Sequence, residues 1–240
     1  MKWIVPPVLL LLPFVGCLSA APIAQSNDFL PKDKAVEVKD YNLYLALGSS
    51  STAGAGASAE SLQYVQLLHN NLGNDYTDIT LDNRGLGGRR LMQMPSDLIA
   101  ISTSDTALVT ILPFTDYVYT QTEQFEEHAR ALLDELARYD VTVLWGRLFV
   151  SEALICGVGE GPGGCYSQED HDMLKAKGDV IKGMQDDYDF LVIAPIEDMN
   201  VPHPEWNGND GHPNDEGHAY LAQKFIDAMV ATNILKQDDD

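Results

Sequence analysis

Positive charge is scarce in this sequence. Its 240 residues include 15 Lys and Arg against 36 Asp and Glu, which gives a formal net charge of −21. A surface this anionic repels nucleic acid and anionic membranes, because both carry dense negative charge. The composition therefore argues against a nucleic-acid-binding protein and against a polyanionic substrate.

Cysteine is also scarce. The three cysteines are Cys17, Cys156 and Cys165, and the last two bracket the glycine-rich segment 157–164. A metal site would need further ligands at suitable spacing, and the neighbouring sequence offers none. In an oxidising compartment, two cysteines this close most simply form one loop-closing disulfide. We predict a Cys156–Cys165 disulfide and no metal site.

No hydrophobic run after the N-terminal segment is long enough to cross a membrane. Residues 1–20 combine an early lysine, a proline-interrupted apolar run and a small-residue end, which is the pattern of a secretory signal peptide. We expect cleavage near Ala20, an extended leader over 21–39, and secretion. The alternative is a lipid-anchored or periplasmic protein, since residues 14–17 resemble a bacterial lipoprotein cleavage box that would leave Cys17 as the lipid-bearing N-terminus.

Strand and helix patterns alternate about five times after residue 40, which is typical of a parallel, doubly wound sheet. We therefore predict an α/β fold: one flavodoxin-like domain over 40–236, with a mostly parallel five-stranded sheet, helices on both faces and an acidic tail at 237–240. The predicted strands are 43–47, 77–81, 107–112, 141–145 and 190–194. Helices are predicted from residue 60, over 91–99, after a capping box at Thr120 and Glu123, and along apolar stripes that begin at Met173 and Leu221.

Small residues form the turn after the first predicted strand. Residues 48–56 read Gly-Ser-Ser-Ser-Thr-Ala-Gly-Ala-Gly. In an open parallel sheet, ligands bind just outside the carboxyl ends of the strands, where this turn lies. Three interpretations fit: an ordinary solvated loop, a phosphate loop like that of a flavodoxin, and the nucleophile turn of a Ser-His hydrolase.

Three further loops follow predicted strands or lead into a helix, namely residues 82–89, 113–116 and 206–218. With the turn at 48–56 they resemble the motif blocks of the SGNH (GDSL-type) hydrolases, a family of secreted or periplasmic esterases, lipases and carbohydrate deacetylases. The resemblance runs from about residue 41 to residue 235.

The resemblance assigns catalytic roles to three residues. The family's first block, Gly-Asp-Ser followed by Thr-x-Gly, matches Gly-Ser-Ser and Thr-Ala-Gly here and places the nucleophile on Ser50. Its second block runs from an Asn to a Gly five places on, which from Asn83 places an oxyanion-hole glycine on Gly88. Its last block, Asp-Gly-x-His-Pro-Asn, nearly matches Asp-Gly-His-Pro-Asn at 210–214 and places the base on His212.

The sequence departs from the family in three of the four blocks. Ser49 replaces the Asp of Gly-Asp-Ser, and Thr115 stands where the third block, Gly-x-Asn-Asp, has its oxyanion-hole Asn. Three places before His212 the chain has Asn209 rather than Asp. Either Asn209 has taken the place of the acid, or one residue is missing and Asp210 serves.

The implied chemistry is ester hydrolysis through an acyl-serine. His212 would take the Ser50 proton, Asp210 (or Asn209) would orient the imidazole, and the amides of Ser50 and Gly88 with the Thr115 hydroxyl would hold the oxyanion. We expect a secreted monomeric esterase that needs no cofactor and cleaves an acetyl or short acyl ester of a carbohydrate or lipid. Because a Thr hydroxyl is a weaker donor than an Asn amide, we expect reduced activity.

Two other functions remain open at this point. A binding module could have kept the fold and lost the acid and the oxyanion Asn, and a flavodoxin-like protein could bind a mononucleotide. The aromatic candidates either line a pocket or pack in the core; they are Phe114, Tyr117, Tyr119 and Trp206. Asp116 is expected to anchor its loop, and His218 is expected to be solvated or structural.

Overall fold

Five parallel strands form the centre of the fold, in the order β2-β1-β3-β4-β5. The computed structural model describes residues 39–103, 106–208 and 211–235. The predicted signal peptide, all of the predicted leader except Lys39 and the acidic tail lie outside these residues. The strands are β1 (Leu43–Gly48), β2 (Thr80–Asn83), β3 (Ala107–Leu112), β4 (Val141–Phe149) and β5 (Leu191–Glu197).

The predicted α/β sheet is confirmed, and all of its strand pairs are parallel. Both β1 and β3 are buried along their whole length and pair over six residues, as expected for strands covered on both faces. The second strand lies at 80–83 instead of the predicted 77–81. It is a half-exposed edge strand, so its apolar signal is weak.

Helices cover both faces of the sheet. They are α1 (Tyr64–Leu72), α2 (Phe114–Tyr119), α3 (Thr122–Leu136), α4 (Gln168–Met184) and α5 (Asp215–Ala231), together with a 3₁₀ helix over Leu91–Thr103. Successive side chains of a strand point to opposite faces. A Cβ on Gly146 would meet Phe225 of α5, whereas the next residue, Arg147, contacts Gly178 of α4. Helix α5 therefore covers one face and α4 covers the other.

The remaining helices divide between these two faces. In α1, Tyr64 stacks on Phe225, so α1 lies with α5. In α3, Phe125 packs edge-on against Trp145, which points to the same side of β4 as Arg147. The 3₁₀ helix packs against α3. The sheet therefore lies between an α1–α5 layer and a layer formed by the 3₁₀ helix, α3 and α4.

Several predicted helix starts are wrong. Residues Glu60–Leu62 form one 3₁₀ turn, and α1 begins only at Tyr64 because Gln63 is extended. The predicted capping box is absent: α3 begins after Gln121, and the Thr120 hydroxyl donates instead to Asp116 Oδ1 at 2.9 Å.

The predicted disulfide joins Cys156 and Cys165. It closes a loop that follows β4 and packs on the segment after β5, where the Gly163 amide donates to Val201 O at 2.9 Å and the Tyr166 hydroxyl donates to Asp198 O at 2.9 Å. The loop closed by the disulfide thus lies at the carboxyl edge of the sheet. Among the described residues, no helix is long and apolar enough to cross a membrane, and no three His, Cys, Asp or Glu side chains group as a metal site.

Candidate active site

The turn after β1 carries Ser50 and is held by its own backbone. The amides of Ala53, Gly54 and Ala55 donate to the carbonyls of Ser49, Ser51 and Ser50 at 3.0, 3.1 and 2.9 Å. A Cβ on Gly48 would lie 2.0 Å from Thr52 Oγ1 and 2.7 Å from Leu112 O, so only glycine fits where the strand enters the turn. The half-buried Ser50 therefore sits at the carboxyl end of a central strand.

The same turn packs directly on the His212 segment. Gly56 has φ +91°, and a Cβ there would lie 2.1 Å from Pro213 O and 3.1 Å from the Cβ of His212. Nearby, both the amide and the hydroxyl of Ser58 donate to the carboxylate of Asp215, at 2.7 and 2.6 Å. Two loops about 160 residues apart, carrying Ser50 and His212, thus meet at one edge of the sheet.

His218 strengthens this junction. Its Nδ1 accepts from the Tyr64 amide at 3.2 Å, so Nε2 carries the proton and donates to Ala55 O at 3.0 Å. Burial lowers the pKa of the imidazole, which keeps the ring neutral. His218 is structural, one of the two roles expected for it.

The half-buried His212 lies in a short hairpin just before α5. The Gly208 amide donates to His212 O at 2.8 Å, and the Asn214 amide donates to Trp206 O at 2.8 Å. Asn214 then caps α5, because its Oδ1 accepts from the amides of the next turn. The predicted alternatives for the acid, Asn209 and Asp210, lie outside the described residues.

The loop after β2 is tied to the Ser50 turn. Asn83 Nδ2 donates to Thr52 O at 2.9 Å, while its Oδ1 accepts from the Gly85 amide at 2.9 Å. A Cβ on Gly85 would lie 2.3 Å from the backbone nitrogen of Ala53, so the two backbones approach closely. Asn83 and Gly85 together hold the loop that carries Gly88.

Gly88 is exposed, has φ +71° and faces open space. Throughout residues 39–103, 106–208 and 211–235, no acceptor takes a hydrogen bond from the amide of Gly88 or of Ser50. Donors left free at the carboxyl edge of a sheet can stabilise a developing oxyanion.

The third block forms the short helix α2 instead of a loop. Thr115 lies in its first turn, half-buried, and its hydroxyl makes no hydrogen bond to the described part of the chain. Asp116 is fully buried: its Oδ2 accepts from the Leu91 amide at 2.8 Å and its Oδ1 accepts from Thr120. Asp116 therefore has the anchoring role expected of it, but it holds α2 to the segment at Leu91 rather than anchoring a loop.

Sequence reasoning missed Lys177, which is fully buried in α4. Its ammonium donates to the carbonyls of Tyr117 at 2.6 Å and Asp116 at 3.1 Å, and thereby satisfies carbonyls near the end of α2. Burial lowers the pKa of this ammonium. The available signal was its position, since Lys177 falls at helical spacing between the buried Leu174 and Ile181.

The comparison with protein families is decisive for the assignment. The family model described as "GDSL-like Lipase/Acylhydrolase family" matches residues 46–220, which is most of the chain and contains all of the loops described above.

The chain belongs to the GDSL-like lipase/acylhydrolase family.

Solved structures of GDSL-family and other esterases share the fold at low sequence identity. The acetylxylan esterase Axe2 from Geobacillus stearothermophilus is 17% identical, with 85% of this chain and 100% of Axe2 covered and a TM-score of 0.59. The psychrotrophic esterase EstA from Pseudoalteromonas sp. is 15% identical, with 78% and 96% covered and a TM-score of 0.57. A two-domain esterase active on acetylated mannans is 17% identical, with 82% and 50% covered and a TM-score of 0.54. Comparison with curated protein sequences finds no match.

One departure from the GDSL pattern has a structural consequence. Ser49, which stands in place of the family's Asp, is buried, and its hydroxyl has no hydrogen-bond partner in the described structure. The shorter side chain thus forms none of the polar contacts that a carboxylate at this position would require in order to be buried.

The aromatic candidates divide between packing and exposure. Tyr117 is fully buried against Phe125. Trp206 stacks on His203, with ring centroids 3.7 Å apart. Tyr119, by contrast, is 70% exposed.

Proposed function

We propose that this GDSL-family hydrolase is a secreted serine esterase that cleaves an acetyl or short acyl ester of a carbohydrate or lipid. The observation that carries the proposal is the packing of the Ser50 turn on the His212 segment, through the close approach of Gly56 to Pro213 and His212. This packing brings a nucleophile candidate and a base candidate to one edge of the sheet, beside the amides of Ser50 and Gly88, which donate to no acceptor among the described residues.

In the proposed reaction, Ser50 Oγ attacks the ester carbonyl while His212 takes its proton. The amides of Ser50 and Gly88 stabilise the oxyanion of the tetrahedral intermediate, and the Thr115 hydroxyl adds a third donor. The intermediate collapses to an acyl-Ser50, and the alcohol leaves with the proton from His212. A water molecule, deprotonated by His212, then releases the carboxylic acid and regenerates Ser50. Asp210 or Asn209 would orient the imidazole.

The substrate class is supported by the fold relatives. Axe2 is described as an acetylxylan esterase, and another relative as active on acetylated mannans. The signal-like N-terminus and the Cys156–Cys165 disulfide support an oxidising compartment outside the cytoplasm. Secretion as a monomer is our proposal, with the lipid-anchored or periplasmic form through Cys17 as the alternative.

The test is hydrolysis of p-nitrophenyl acetate by the wild type and by Ser50→Ala and His212→Ala. We expect each substitution to lower kcat by at least about 10³-fold, because the nucleophile and its base act as a unit. Ser51→Ala is the matched control: it removes a neighbouring hydroxyl from the same turn and should retain activity. A wild type no faster than Ser50→Ala would overturn the esterase proposal.

The acid can be assigned by a second pair of variants. If Asp210 orients His212, Asp210→Asn should lower kcat strongly and Asn209→Ala should not. The reverse result would assign the role to Asn209, and two small effects would indicate a Ser-His dyad.

A second candidate function is a catalytically inactive binding module. It is favoured by Thr115, whose hydroxyl replaces the oxyanion-hole amide of the family. Loss of one oxyanion donor costs about 10²–10³ in rate, which by itself slows an esterase without abolishing it. The p-nitrophenyl acetate assay separates the two functions.

A further inference from the structure

An open cleft lies beside Gly88. It has a volume of about 420 Å³ and is lined by Leu86, Arg89, Met92, Gln93 and Ser96. This volume falls at the lower end of the range typical of small-ligand sites. Leu86 and Arg89 flank the candidate oxyanion glycine in sequence, so the cleft is built on the loop that carries Gly88.

The polar side chains of the cleft are engaged with one another. Arg89 forms an ion pair with Asp97 and donates to Gln93 O at 3.2 Å. The Gln93 side chain accepts from the Arg90 amide at 2.9 Å, and the Ser96 hydroxyl donates to Gln93 O at 2.8 Å. Because Asp97 already neutralises the guanidinium charge of Arg89, the cleft does not favour an anionic ligand.

The apolar side chains of the cleft are exposed. Leu86 is 56% exposed and Met92 is 62% exposed, and no neighbouring part of the described chain covers them. Burial against an apolar group is the main gain available to these two side chains. The cleft therefore suits an aliphatic ligand.

The layers of the fold decide which half of an ester reaches this cleft. His212 precedes α5 and so approaches Ser50 from the α1–α5 side of the sheet. The cleft lies on the 3₁₀ helix over Leu91–Thr103, which belongs to the opposite layer. Because His212 must protonate the departing alcohol, the alcohol lies toward His212 and the acyl group points away from it.

We propose that this cleft binds the acyl chain of the substrate and favours linear aliphatic acyl groups of roughly four to six carbons over acetyl. The proposal rests on the esterase function proposed above and names the acyl specificity of that same site. Leu86 and Met92 are the specificity-determining residues.

The expected effect follows from the extra methylenes. A fully buried methylene changes a rate by about fourfold, and a half-buried one by about twofold. Four additional methylenes, half-buried in an open cleft, therefore give a preference of about 16-fold for hexanoate over acetate.

The test compares kcat/KM for p-nitrophenyl acetate, butanoate and hexanoate, which share one leaving group. The wild type should prefer hexanoate to acetate by about 16-fold, and Met92→Ala should reduce that ratio severalfold. The matched control is Ile99→Ala: Ile99 lies on the same 3₁₀ helix, is 69% exposed and is outside the cleft, so the ratio should stay at the wild-type value.

Two results would overturn the acyl assignment while leaving the esterase proposal intact. One is a wild type that does not prefer hexanoate to acetate. The other is an unchanged hexanoate-to-acetate ratio in Met92→Ala; if this variant then alters the preference between methyl and hexyl acetate, the alcohol occupies the cleft. A wild type no faster than Ser50→Ala on every ester, acetate included, would instead refute the esterase function and with it this inference.

Discussion

Replacing Gly56 with alanine is expected to separate the Ser50 turn from the His212 segment. Gly56 has φ +91°, a conformation that costs an L-residue about 1–2 kcal/mol. The new Cβ would also lie 2.1 Å from Pro213 O, whereas real Cβ contacts are not shorter than 3.0 Å, so the two loops must move apart by 0.9 Å or more (3.0 minus 2.1). A displacement near 1 Å in an active site costs about 10²-fold in rate.

The assay measures kcat for p-nitrophenyl acetate together with the urea unfolding midpoint. We expect Gly56→Ala to remain folded but to lose about 10²-fold in kcat. The matched control is Gly183→Ala, since Gly183 lies in α4 and its added Cβ would meet nothing within 4 Å beyond the helix's own nearby backbone. This control should keep kcat and gain about 0.5–1 kcal/mol of stability from helix propensity. A Gly56→Ala enzyme with the wild-type kcat would refute the argument that this packing aligns the two loops.

Two further predictions concern stability. Gly178→Ala should destabilise the fold by about 1–3 kcal/mol, because a Cβ there would lie 2.6 Å from Arg147 Nε; a urea midpoint equal to that of the wild type would contradict this. Asp215→Asn should destabilise the protein at neutral pH, because hydrogen bonds from Ser58 lower the pKa of the Asp215 carboxyl below its ordinary 3.8. These hydrogen bonds stabilise the ionised carboxylate, so the difference in stability between wild type and variant should be complete well above pH 3.8 and shrink as the pH falls below it. Urea unfolding at several pH values measures this difference. A difference independent of pH would exclude this origin.

The fold was predictable where burial is strong on both faces. The strand at 107–112 was predicted with its observed bounds, since its apolar run, interrupted only by Thr110, is bounded by Thr106 and Pro113. The edge strand β2 was misplaced by three residues because its sequence, Thr-Leu-Asp-Asn, lacks an apolar run. Strand β4 extends four residues beyond its predicted end, as residues 146–149 pair with 194–197 of β5. Pairing with a neighbouring strand is a tertiary contact that the local pattern does not contain.

The candidate site was predictable to the extent that its residues occur in short local motifs. Ser50, Gly88 and His212 each stand in a block with recognisable spacing. The residues that bring these blocks together do not occur in motifs of recognisable spacing. Gly56 reads as one more glycine in a flexible turn until its contact with Pro213 is known. In the sequence, Gly178 likewise appears only as a break in a helical apolar stripe. The structure shows that the Arg147 guanidinium occupies the space that a side chain at this position would need.

Lys177 illustrates the same limit and links α4 to the loop that carries Gly88. Its ammonium binds the carbonyls of Asp116 and Tyr117, which fixes α2. The Asp116 carboxylate in turn accepts from the Leu91 amide, three residues beyond Gly88. A buried cation is costly unless it is hydrogen-bonded, so the two carbonyls offset part of the cost of burying Lys177. Because every partner in this series comes from a different segment of the chain, the support for Gly88 is a property of the assembled fold and leaves no motif in the sequence.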